Sequence, residues 1–90
     1  MIRASQAKIL SILLKLRENG SYLVVPSEVR KHILAIDPHR FSTYESLRRN
    51  TRYNLNNLSK LGLLEKHKLP NRRLLFSLTS KGEELAKELE

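Results

Sequence analysis

Between residues 48 and 60 the chain carries Arg48, Arg49, Arg52, Tyr53, Asn56 and Lys60, all with hydrogen-bonding tips. Stepped at about 100° per residue from Leu55, five of them (Arg49, Arg52, Tyr53, Asn56 and Lys60) gather around 120°. Leu47, Thr51, Leu58 and Leu61 cluster around 300° on the same scale, so the segment has a polar face and an apolar one. The polar face offers what base edges in a major groove require. An arginine fork spans guanine O6 and N7, and an asparagine amide pairs with adenine N6 and N7, which suits Arg49, Arg52 and Asn56. Tyr53 brings a hydroxyl for a phosphate or a ring for a thymine methyl. Lys60 and Arg48, at the end and at the core edge of the face, suit the sugar–phosphate backbone.

A second basic set follows at once: Lys66, Lys68, Asn71, Arg72 and Arg73. Lys66 and Lys68 share one side of an extended run, and Pro70-Asn71-Arg72 is turn chemistry, so a hairpin with a basic tip is expected. Such a tip either inserts an arginine into a minor groove or meets phosphates only, and the residues leave both open. The charge as a whole is +8, with 17 Lys or Arg against 9 Asp or Glu. Residues 40–73 have a balance of +7, residues 1–39 of +3 and residues 74–90 of −2. An excess concentrated in one segment attracts a polyanion, because each neutralised phosphate releases counterions. A polar face on an isolated helix is ordinarily just solvated; the basic hairpin next to it is what favours nucleic acid.

Other chemistries find no residues to carry them. The 90 residues include no cysteine, which excludes disulfides, thiolate zinc sites and cysteine nucleophiles. His32, His39 and His67 fall on three different elements with no metal-ligand spacing, so no metal is expected, and His32 reads as a partly buried packing residue. Three separated glycines make no phosphate loop, no serine sits in a nucleophile elbow, and Glu28 and Asp37 are not a credible acid–base pair. No cofactor and no enzymatic activity are expected. The few aromatics are not spaced as an RNA stacking platform. No apolar run approaches the roughly 20 residues of a membrane span, and the polar start is unlike a cleavable signal, so a cytoplasmic, intracellular protein is expected. A single domain over residues 1–90 follows from length; it would bury only about 60–65% of its extended surface, leaving little room for a deep cavity.

The elements that must position these residues are legible from period and punctuation. Gln6 to Arg17 has Ile9, Ile12, Leu13 and Leu16 on one helical face, stopped by Asn19-Gly20. Ala7, Leu10 and Leu14 form a second apolar strip, either better buried than one core requires or a contact for another subunit. Residues 21–25 are β-branched and aromatic and predict a short strand. Pro26-Ser27-Glu28 starts a second helix with Val29, His32, Ile33 and Ile36 inward, and Asp37-Pro38 breaks it. Ser42-Thr43-Tyr44-Glu45 matches a capping box with Ser42 as cap, opening a helix of about 43–61 whose apolar stripe starts at Tyr44 and ends at Leu61 before Gly62. Residues 63–68 and 74–78 are extended. Thr79-Ser80 caps a last helix with Leu85, Ala86 and Leu89 inward. The order is α-β-α-α-β-β-α, an α+β class, mostly α with a small β-hairpin.

Two local patterns within this order resemble the winged helix-turn-helix regulators of the MarR, ArsR and PadR groups. Leu58-Ser59-Lys60-Leu61-Gly62-Leu63-Leu64 is similar to the ending of their recognition helix. Phe76-Ser77-Leu78-Thr79-Ser80-Lys81-Gly82-Glu83-Glu84-Leu85 is similar to the junction between their wing and the following helix. The resemblance covers residues 42–90; residues 1–41 match in element order only. It implies a sequence-specific regulator of transcription that binds double-stranded DNA, with the helix of about 43–61 in the major groove and a wing of 64–78 beside it. A homodimer is expected, since such regulators pair through terminal helices; the spare strip Ala7, Leu10 and Leu14 and the last helix, with Leu85 and Leu89, are the candidate interface. The alternative is a winged helix that coats DNA without sequence preference or binds another protein.

Overall fold

A computed structural model describes residues 2–89. Its elements run α1 (Ala4–Glu18), α2 (Pro26–Ile36), α3 (Tyr44–Lys60), β1 (Leu64–Lys68), β2 (Leu74–Leu78) and α4 (Ser80–Glu88). The two strands pair antiparallel from Leu64 opposite Leu78 to Lys68 opposite Leu74. Three helices followed by a hairpin and a closing helix make a small winged helix-turn-helix.

The order lacks the strand expected at residues 21–25. Only Val24 pairs, through a bridge to Phe76 in which each backbone N–H meets the other's carbonyl at 2.9 and 2.8 Å. Its neighbours are spoken for. Gly20, with φ at +96°, turns the end of α1 so that its own N–H reaches the Arg17 carbonyl and the Ser21 N–H reaches that of Leu16. Pro26, two residues on, has no N–H to offer.

α1 lies at the centre, touching α2, α3, α4 and β2. That position explains its two apolar strips. Leu10 and Leu14 are 0% and 2% exposed within one chain, beside Ile9, Ile12 and Leu13. They therefore belong to the core and are not a spare surface for a second subunit; Ala7 is half-buried. The core is completed by Val29 and Ile33 of α2, by Leu47, Leu55 and Leu58 of α3, and by Leu63, Leu64, Phe76, Leu78 and Ala86. Ile36, expected inward, stands in the last turn of α2 and is 60% exposed. Tyr44 and Leu61, the ends of the α3 stripe, stand at the two ends of that helix and are exposed as well. Leu85 packs against the core from the side, whereas Leu89, beyond the last turn of α4, is exposed.

The cap of α3 is Thr43, one residue later than expected. Its hydroxyl accepts the Ser46 N–H at 3.1 Å and donates to the Ser46 hydroxyl at 3.0 Å. Ser46, not Glu45, thus occupies the third helical position, and Glu45 faces the positive end of the helix from the first turn. Thr79 caps α4 by accepting the Gly82 N–H at 3.0 Å. Its own hydroxyl donates to the Gly62 carbonyl at 2.7 Å, which joins the end of α3 to the start of α4. Gly82 is required by close approach: a Cβ there would collide with the Leu63 carbonyl. Arg17 fastens α1 to α4, at 3.0 Å from Glu83 and 3.3 Å from the Leu78 carbonyl.

Candidate nucleic-acid interface

α3 presents its polar face because its other side is consumed by the core. Leu47, Thr51, Leu55 and Leu58 are buried, and the Thr51 hydroxyl returns to the Leu47 carbonyl at 2.8 Å. Arg48, Arg49, Arg52 and Lys60 are exposed, Tyr53 is 54% exposed, and Asn56 is half-buried. The predicted residues of the helix thus lie outside the core, on one continuous arc.

Arg48, Arg52 and Asn56 are spaced four apart and form a row that faces a groove of about 400 Å³. Opposite them stand Arg72, Arg73, Leu74 and Phe76 of the wing, and the end is closed by Val25, Pro26, Ser27 and Arg30. Five arginines line this groove and no carboxylate does. The amino-terminal end of α2, with its partial positive charge, adds to the same field. The buried Oδ1 of Asn56 has no hydrogen-bond partner.

The wing owes its shape to a three-residue turn. The Arg72 N–H donates to the Leu69 carbonyl at 3.0 Å, the Leu69 N–H donates to that of Arg73 at 2.8 Å, and Arg72 has φ at +67°. Proline in the first loop position and a left-handed third residue fit a type I turn with a bulge. Asn71 serves the turn itself, its side-chain oxygen accepting the Arg73 N–H at 3.2 Å. Lys66 and Lys68 are exposed on β1 but do not line the groove. Of the predicted wing residues, Arg72 and Arg73 are therefore brought to α3, and Asn71, Lys66 and Lys68 are not.

Three features are invisible to the period of α3. Arg30 reaches the groove only because the Val24–Phe76 bridge draws the start of α2 to the wing, a pairing between residues 52 apart in sequence. Asn54, on the α1 side of α3, is buried and donates to Asn50 Oδ1 at 3.0 Å and Ser5 Oγ at 3.3 Å. Gln6, also buried, donates to Asn54 Oδ1 at 3.3 Å. A glutamine within an otherwise apolar helical stripe, opposite an asparagine on another helix, was the available signal.

No helix among the described residues is long and apolar enough to cross a membrane. No family model and no curated protein matches the chain. Solved structures do. The complex structures of hsRosR-S4 and hsRosR-S1 each superpose with a TM-score of 0.74 at 21% identity, over 97% of this chain and 66% or 68% of theirs. A mutant form of Lactococcus lactis ZitR superposes at 0.68, also at 21% identity, over 98% of this chain and 50% of its own. This chain thus spans half to two thirds of the proteins it resembles, and the likeness establishes the winged-helix fold.

Proposed function

We propose that this protein binds double-stranded DNA in a sequence-specific manner as a regulator of transcription. α3 enters the major groove, and the wing tip lies on the adjacent minor groove or phosphates. The observation that carries this reading is the five-arginine, carboxylate-free groove between α3 and the wing, with Asn56 beside it. A field of that sign and density, on a helix whose exposed arc is all hydrogen-bonding groups, suits backbone and base edges together. Arg49, Arg52 and Asn56 read bases; Arg48, Lys60, Arg72 and Arg73 hold the backbone; Tyr53 closes the arc. The resemblance of residues 58–64 and 76–85 to winged-helix regulators supports the same reading, as does the shared fold. On this reading the protein works with nucleic acid inside the cell, without cofactor or catalysis.

Selection of bound duplexes from a random pool at about 150 mM salt, where non-specific attraction is weakened, is the test. One recovered motif is expected. Asn56→Ala should then lose about 1–3 kcal/mol on that motif and relax preference at one base. A pool without a motif, bound equally by the wild type and Asn56→Ala, would replace the regulator with a protein that coats DNA.

A further inference from the structure

We propose that the residue preceding α1 forms a second shoulder of the DNA-binding face: Arg3 meets the sugar–phosphate backbone on the side of α3 away from the wing, and Gln6 and Asn54 are the positioning residues that hold it there. This inference rests on the DNA reading above and adds a contact site and its support to it.

An α-helix with its side chains is about 10–12 Å across and a major groove is about 12 Å wide. A helix seated there has a phosphate wall on each side, so charge on one shoulder serves only one wall. Around α3, at about 100° per residue from Leu55, Arg48 and Arg52 fall near 20° and 60°, on the side of Arg72 and Arg73. Asn56, Arg49 and Lys60 follow at about 100–140°, and Tyr53 near 160°. Beyond it, near 220° and 260°, Asn50 and Asn54 turn toward α1. The exposed arc therefore has two edges. The wing supplies cations to the first. At the second, the guanidinium carbon of Arg3 stands 5.9 Å from the centre of the Tyr53 ring. A cation over a ring face is held loosely and keeps its fork free for a phosphate. Arg3 is exposed and has no carboxylate partner among the described residues, unlike Arg17, which is committed to Glu83.

The support beneath Arg3 is built. Gln6 Oε1 accepts the Arg3 backbone N–H at 3.1 Å, while Gln6 Nε2 donates to Asn54 Oδ1 at 3.3 Å. One side chain therefore ties the residue preceding α1 to the middle of α3. Both Gln6 and Asn54 are 1% exposed. The two N–H groups of the Asn54 amide are used as well, on Ser5 and Asn50. A buried amide network in which each side-chain nitrogen and oxygen of Gln6 and Asn54 is bonded fixes the relative placement of two helices more narrowly than apolar contact does.

The test is fluorescence anisotropy on a labelled duplex of about two helical turns, across about 50–200 mM salt. Arg3→Ala should weaken binding several-fold and lower the slope of log affinity against log salt by about 0.9, one phosphate contact; Arg3→Lys should restore the slope. Arg72→Ala is the wing control. If Arg3→Ala leaves affinity and slope unchanged while Arg72→Ala reduces both, the second shoulder is refuted and the DNA reading stands. Wild type that binds no duplex with salt dependence refutes that reading itself. For the positioning pair, Arg3→Ala is repeated in a Gln6→Leu/Asn54→Leu background, or in Gln6→Met if the pair does not fold. Loss of the Arg3 effect is expected; a full effect there overturns the positioning role.

Discussion

At the scale of single residues, Arg72 holds a backbone that most side chains avoid. A left-handed conformation costs a non-glycine residue on the order of 1 kcal/mol, and the third position of such a turn is one glycine fills without strain. Arg72→Gly should therefore raise the melting temperature or leave it level, while DNA affinity falls and its salt dependence flattens by about one phosphate contact. A variant that loses stability would show that the guanidinium braces the tip. The substitution thus separates two effects, the charge at the tip and the conformational cost of holding it there. Asn56 carries a cost of another kind, since its buried side-chain oxygen has no hydrogen-bond partner in the free protein.

At the scale of elements, α4 is docked by contact so close that it leaves no room for a methyl group. Gly82→Ala should cost at least about 1–3 kcal/mol, the usual penalty for overpacking, and thermal unfolding monitored by circular dichroism will read it. An unchanged melting temperature would mean that α4 can slide away from Leu63. The elements themselves were largely legible. Apolar spacing of three and four in α1 and α3, proline at the start of α2, and turn residues between β1 and β2 each gave a boundary within one or two residues. What could not be read was set by partners far along the chain. Val24 becomes a bridge only opposite Phe76, whereas the shift of the cap from Ser42 to Thr43 is local, Thr43 accepting the Ser46 N–H. Leu10 and Leu14 read as surplus because one helix alone does not disclose that it will be surrounded. The polar arc of α3 was legible by period alone; Arg30 and the Gln6–Asn54 strap were not, since each depends on how two helices meet.

At the scale of the molecule, dimensions and charge bear on assembly. The chain measures 35 × 34 × 26 Å. Half-sites on one face of a duplex lie about 34–36 Å apart, so two copies side by side would match the spacing of successive major grooves. With Leu10 and Leu14 enclosed, what remains of the expected pairing surface is at α4, where Leu89 is exposed and Leu85 half-covered, with Ala7 half-buried on α1. We therefore expect a dimer in sedimentation at micromolar concentration, a monomer for Leu89→Glu, and binding of a two-fold site only by the former. Wild type sedimenting as a monomer at that concentration would refute the pairing.

The sheet has two strands, and Val24 adjoins β2, which leaves the far side of β1 open among the described residues. A bare row of amides and carbonyls is an invitation to aggregate. Here it is guarded by Glu65, Lys66 and Lys68, charges that make a further strand unwelcome. Lys66 and Lys68, which stay out of the arginine groove, thus have a use that needs no nucleic acid. Replacing both with valine should produce light-scattering oligomers in DNA-free buffer, whereas replacing them with glutamate should keep the solution clear.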